Sequence, residues 1–261
     1  MAAMSNLMQV ILLGVIEGIT EFLPISSTGH LLIAEHWLGA RSELFNVAIQ
    51  LGAILAIVLI YRERLWDLAR GLGKPAQRDY TAKLIVAFVI TAIGGMAAAK
   101  LGLKLPETVR PVAWALLLGG VAILGIERLV ARAPASERIT WTVAIWVGLA
   151  QVLAAIFPGT SRSAATIFAA MLAGCSARPA ATEFAFLLGI PTMLAATAYE
   201  LLKHRDESEP LLDLAIGFVV SALVAFVAVK WLLGYIRTHR FTVFAWYRIA
   251  LGAALLLNPG L

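Results

Sequence analysis

Cysteine occurs once in this chain, as Cys175, so no intrachain disulfide can form. Apolar residues surround it and no metal-ligand partner stands at a useful spacing, so it reads as a packing residue. Charge is scarce as well: Asp, Glu, Lys and Arg make up 14% of the 261 residues against 61% hydrophobic, which excludes an ordinary soluble domain. Long polar linkers are missing between the apolar runs, and residues 1–261 are read as one membrane domain. No basic leader opens the chain, which begins Met1-Ala2-Ala3-Met4-Ser5-Asn6, so the first apolar run is expected to remain in the mature protein. A net charge of +5 would bring nucleic acid to mind in a soluble protein. Here the basic residues gather beside apolar runs, so membrane topology explains them and no nucleic-acid partner is expected.

Measured against the roughly 20 residues that cross a bilayer, six apolar runs are long enough, near 44–61, 82–102, 110–130, 181–202, 211–235 and 242–258. Four shorter pieces remain: 5–22 followed by 26–38, and 139–156 followed by 161–175. A polar turn joins each pair, with Pro24 or Pro158 at the break. Proline removes an amide donor and restricts the residue before it, so each pair is expected to fold back on itself. The expected fold class is an all-α integral membrane protein with six transmembrane helices and two re-entrant helical hairpins.

The two halves repeat weakly. Laid without a gap, Gly14–Gly29 over Gly148–Ser163 pairs Glu17 with Gln151, Pro24 with Pro158, Ser26 with Thr160 and Ser27 with Ser161, with three identities in 16 positions. Each polar turn is followed by an apolar helix and three spans. Three is odd, so the second copy, about 136–261, is expected upside down relative to the first, about 1–135: an inverted-topology repeat. Basic residues agree with that arrangement. If the segment from Arg62 to Lys83 is cytoplasmic, alternation places 13 Lys and Arg inside and six outside, the latter including Lys104 and Arg205. Both termini then lie outside, and the first hairpin enters from the outer face.

The turns themselves carry the chemistry. Glu17 and Glu21, four residues apart, share one helix face with Cβ atoms roughly 5–6 Å apart. Like charges at membrane depth must share a proton, bind a cation or border water. After Pro24, Ser26, Ser27 and Thr28 supply three hydroxyls where capping needs one, and His30 follows one turn later on the face of Ser27. The second turn places Thr160, Ser161, Arg162 and Ser163 at a helix start. There a cation opposes the helix dipole unless an anion reverses the sign. Backbone amides, hydroxyls and a guanidinium fork make a phosphate cradle, and two such helix starts meeting at mid-membrane would hold a diphosphate. The plainer reading pairs Arg162 with Glu17 or Glu21 merely to neutralise the cluster.

The runs Glu17-Gly18-Ile19-Thr20-Glu21-Phe22-Leu23-Pro24-Ile25-Ser26-Ser27-Thr28-Gly29-His30 and Pro158-Gly159-Thr160-Ser161-Arg162-Ser163-Ala164-Ala165-Thr166 resemble those of the bacterial undecaprenyl-diphosphate phosphatases, also called bacitracin-resistance proteins. The resemblance extends over essentially the whole chain. It implies an interdigitated inverted repeat in the bacterial inner membrane and removal of the terminal phosphate of a polyprenyl diphosphate lipid. It also implies a divalent cation, magnesium or calcium, as cofactor, and puts family roles on Glu17, Glu21, Ser27, Thr28, His30, Ser161 and Arg162. Ala164 stands where relatives often have glycine.

The catalytic set expected is Glu17, Glu21, Ser27, His30 and Arg162, with Ser26, Thr28, Thr160, Ser161, Arg162 and Ser163 around the phosphates and Glu17 and Glu21 on the metal. Ser27, activated by Glu21 or His30, is the first choice of nucleophile; His30 itself or an activated water stay open. The site is expected to open on the extracytoplasmic side, with membrane lipid around the polyprenyl tail. The competing reading is a transporter or flippase of the lipid product or another anion. Oligomeric state stays open, since Gly94-Gly95-Met96-Ala97-Ala98-Ala99 permits close packing within one chain or across a homodimer.

Overall fold

Hydroxyl side chains open several of the helices. Ser5 accepts from the Met8 amide at 3.4 Å, Ser42 from Phe45 at 3.2 Å and Thr140 from Val143 at 3.2 Å, each filling a first-turn donor that a helix leaves unpaired. Proline in the first turn starts two more, at Pro75 and Pro179, where its missing N–H costs nothing. The structure, a computed structural model, describes residues 5–103, 105–106, 108–132, 134–204 and 206–258. Lys104, Arg205 and Met1-Ala2-Ala3-Met4 therefore lie outside the described residues.

Eleven α-helices, and no strand, occur among the described residues. In chain order they are α1 (Asn6–Thr20), α2 (Ser27–Leu38), α3 (Glu43–Ile60), α4 (Arg62–Arg70), α5 (Pro75–Lys100), α6 (Val109–Val130), α7 (Trp141–Ile156), α8 (Arg162–Leu172), α9 (Arg178–Lys203), α10 (Leu211–Tyr235) and α11 (Thr242–Leu257). Five of them, α3, α5, α6, α9 and α10, are long and apolar enough to cross a membrane, so the protein is a multi-pass membrane protein. The sixth expected span, 242–258, is not among these five. It is α11, whose 16 residues rise only about 24 Å against a hydrocarbon core of roughly 30 Å. Helix α5 also begins at Pro75, ahead of the apolar run, because its first two turns carry the polar residues Gln77 to Lys83.

Both expected breaks are present. Helix α1 gives way to α2 through the turn at Pro24, and α7 to α8 through the turn at Pro158. Packing then crosses between the chain's halves: α1 lies on α10, α7 on α5, α3 on α10 and α9, and α6 on α11. Exchanging α1 with α7, α3 with α9, α5 with α10 and α6 with α11 converts this set of neighbours into itself, since α9 also packs on α5. One close approach repeats in detail. A Cβ on Gly14 would stand 3.0 Å from the Gly217 carbonyl oxygen and against Val220, and one on Gly148 would stand 2.9 Å from the Ala87 oxygen and against Ile90. Only glycine lets those backbones meet so closely.

Helix ends outside the apolar layer are tied by polar contacts. Arg41 reaches Asp213 at 3.4 Å, and the Leu44 amide donates to Glu207 at 3.3 Å. At the other end Arg64 donates to Glu183 at 3.0 Å, and Arg178 grips Glu127 with two donors while Glu127 also takes the Phe241 amide at 2.9 Å. Cys175 is fully buried, and that burial pushes its thiol up to about 11, in keeping with an inert packing role.

Candidate active site

Each polar turn ends on a serine with a left-handed backbone. Ser26 has φ 75° and Ser161 φ 66°, the two non-glycine residues of positive φ among those described. Such a conformation is costly for an L residue and persists where the surroundings enforce it. The sequence supplies the reward: each hydroxyl caps the helix it starts, Ser26 accepting from the Gly29 amide and Ser161 from the Ala164 amide, both at 3.3 Å. These equivalent serines stand 135 residues apart, whereas the glycines of α1 and α7 match at 134. The gapless overlay therefore needs one residue more in the second turn, and Ser161 corresponds to Ser26 rather than to Ser27.

Residues next to these caps meet across the molecule. Arg162, first in α8, donates to Glu21 Oε1, while Ser27, first in α2, donates to Glu21 Oε2 at 2.5 Å. A single carboxylate thus holds the guanidinium of one turn and the hydroxyl of the other. Ser163 donates to the Leu23 carbonyl at 3.0 Å and lies 3.0 Å from the Ser161 hydroxyl, binding the second turn to the first. Glu17 lies one helical turn before Glu21, almost fully buried, within electrostatic reach of Glu21 and Arg162. Its Oε2 has no hydrogen-bond partner. A crevice lined by Glu21, Phe22, Arg162, Ser163, Thr166, Phe186 and Gly189 runs along this cluster, and Phe22 and Phe186 meet edge-to-face across it at 5.3 Å.

Not every expected residue points at the cluster. Thr28, half-buried, follows Ser27 on α2, and Thr160, also half-buried, meets a guanidinium through its carbonyl oxygen. His30 turns away from Ser27. Its Nδ1 lies 2.6 Å from the Ser26 carbonyl oxygen and its Nε2 lies 2.6 Å from the Tyr247 hydroxyl.

Two neighbours on α11 lie outside the site residues expected from the sequence. Arg248, fully buried, donates to the carbonyls of Pro24 (3.2 Å), Gly159 (3.1 Å) and Thr160 (3.1 Å), and to Ala115 (3.0 Å) and Leu116 (3.4 Å) of α6. It fastens both turns to one point and brings a second positive charge behind them. An arginine inside an apolar run was the available signal. Tyr247 gave none.

Among the described residues no group of three or more His, Cys, Asp or Glu is arranged to hold a metal. What the site does offer a hard cation is oxygen: the unpartnered, buried Glu17 Oε2 beside Glu21 and the Ser27 hydroxyl. The residues present fit such an ion.

An acid pair, a hydroxyl, a guanidinium and two capped helix starts gather at one point inside a membrane protein, an arrangement chemically suited to phosphate. The chain belongs to the family described as bacitracin resistance protein BacA, which it matches over residues 10–254. It is 60% identical over 258 residues to a protein of Xanthomonas euvesicatoria pv. vesicatoria named undecaprenyl-diphosphatase, with 97% of each chain covered. A Rhizobium johnstonii protein of the same name is 64% identical over 249 residues, covering 94% of each chain.

Proposed function

We propose that this chain is an undecaprenyl-diphosphatase, cleaving the anhydride bond of undecaprenyl diphosphate to give undecaprenyl phosphate and inorganic phosphate. Relatives named for that activity align with nearly the whole chain. The observation that carries the chemistry is Glu21 held between Ser27 and Arg162.

Phosphoryl transfer asks a catalyst to position its nucleophile and to neutralise charge on the peripheral oxygens. Ser27 already donates its hydroxyl proton toward Glu21, so Glu21 takes that proton as Ser27 Oγ attacks the terminal phosphorus. The bridging P–O bond breaks, undecaprenyl phosphate leaves, and water then releases phosphate from the serine. Arg162 spends one of its five N–H donors on Glu21, leaving others for the phosphate oxygens. A divalent cation, magnesium or calcium, held by Glu17 and Glu21 would neutralise further phosphate charge. His30 serves here as a support of the turn rather than as the base, since both its ring nitrogens are engaged away from Ser27.

The self-exchanging helix packing supports an inverted-topology repeat, with α1–α2 and α7–α8 as re-entrant hairpins and α11 as a short sixth span, forming one membrane unit. The basic residues favour a site open to the extracytoplasmic side of the bacterial inner membrane. The same packing also suits a transporter or flippase of the lipid product. Phosphate release from a polyprenyl diphosphate by purified protein in detergent separates the two, because hydrolysis needs no second compartment. Measured with and without chelator, the wild type should release phosphate and lose most activity to the chelator, while Glu21→Ala and Arg162→Ala should be nearly inactive. A wild type that releases none overturns the proposal.

A further inference from the structure

The two strained serines provide an internal control. Ser161 keeps its positive φ with its carbonyl accepting one backbone amide, that of Ala165, at 2.9 Å. Ser26 adopts the same conformation, and its carbonyl also accepts the equivalent amide, from His30, at 3.3 Å. Only Ser26 has more: the His30 imidazole adds a second donor to that carbonyl at 2.6 Å, and Tyr247 lies on the far side of the ring at 2.6 Å. The residue of α8 that corresponds to His30 is Ala165, which has no such side chain. The backbone device therefore forms without an imidazole, and the imidazole and phenol serve something beyond the fold.

A carbonyl oxygen only accepts, so Nδ1 of His30 carries the proton in this contact. In the neutral ring Nε2 is then a lone pair, and the Tyr247 hydroxyl donates to it. The two rings stack nearly parallel, at 8° with centroids 5.6 Å apart, so the phenol constrains the ring's plane as well as its tautomer. This chain of bonds ends on Ser26, directly before Ser27, whose hydroxyl lies on Glu21. The next residue of α11, Arg248, donates to the Pro24 carbonyl of the same turn.

We propose that Tyr247 is a positioning residue for this hydrolysis, acting through His30 to hold Ser26, and with it the Ser27 hydroxyl, in line with Glu21. The proposal rests on the phosphatase reading above. Without the phenol, Nε2 loses its partner, the ring gains a second tautomer and orientation, and Ser27 spends less time on Glu21. Substrate phosphates still meet Arg162, so binding is spared.

The test is polyprenyl diphosphate hydrolysis by purified wild type, Tyr247→Phe, His30→Ala and the double variant. Phenylalanine keeps the ring and removes only the hydroxyl. Tyr247→Phe should lower kcat about tenfold, the scale of one lost hydrogen bond, with KM within about twofold. In the His30→Ala background the same change should add nothing. Imidazole nitrogen shifts of the unaltered protein should place the His30 proton on Nδ1, a readout independent of whether any variant folds. Unchanged kcat in Tyr247→Phe, losses that multiply in the double variant, or a His30 protonated on Nε2 alone would each overturn the proposal. An inactive wild type would instead overturn the phosphatase reading.

Discussion

The two polar turns share a backbone and divide the chemistry. Each breaks a short apolar helix at a proline, passes through a serine of positive φ, and starts the next helix on that serine's hydroxyl. The first contributes Glu17 and Glu21 on the incoming helix and Ser27 on the outgoing one; the second contributes Arg162. Neither is a site alone, for the first lacks a cation to meet phosphate and the second lacks an acceptor for a hydroxyl proton. The two turns thus share a frame, and the residues beside the caps differ.

The largest effects should come from removing what differs between the turns. Glu21→Ala and Arg162→Ala should each slow phosphate release about a thousandfold, as expected where charge stabilisation is lost in a water-poor site. Ser27→Ala should lose phosphate release about a hundredfold or more and form no phosphoserine when the terminal phosphate is radiolabelled, while its melting temperature stays near wild type. Retained hydrolysis in Ser27→Ala would move the nucleophile to His30 or water.

Removing what the turns share should act on stability instead. Arg248→Met strips the donors from carbonyls of both turns and of α6, and should destabilise by about 3 kcal/mol or more in a reversible unfolding measurement. Ser161→Ala removes one helix cap and should cost about 1 kcal/mol.

How far the sequence reached follows from the same contrast. Local chemistry was readable: the prolines located both breaks, hydroxyls marked both helix starts, and the carboxylates and guanidinium of Glu17, Glu21 and Arg162 stood out against an apolar background. Long-range geometry was less so. Tyr247 carries no signal in an apolar helix, because its partner His30 lies 217 residues away. The extra residue in the second turn was hidden because Ser27 and Ser161 match by identity while Ser26 and Ser161 match by dihedral angle. Helix α11 keeps to the expected run within one residue, Thr242–Leu257 against 242–258, and at 16 residues it is shorter than the five long apolar helices.

The smallest expected effect lies outside the membrane. A hydrogen bond from His204 at 2.6 Å, with the Leu44 amide and the charge of His204 beside it, holds Glu207 below the usual carboxylate range. The folded state therefore binds that proton less readily than the unfolded chain. Its contribution is present above the ordinary carboxylate range and fades as pH falls through the depressed folded value. His204→Gln should weaken that dependence slightly in melting curves across acidic pH, with phosphate release at neutral pH unaffected.

The most direct measurement is a double-mutant cycle on phosphate release using Glu21→Asp and Arg162→Lys, substitutions that keep charge and leave measurable activity. If the two turns form one site around the Glu21 carboxylate, the double variant should be scarcely slower than the slower single variant. Losses that multiply would mean that the two residues act independently, and would contradict the account.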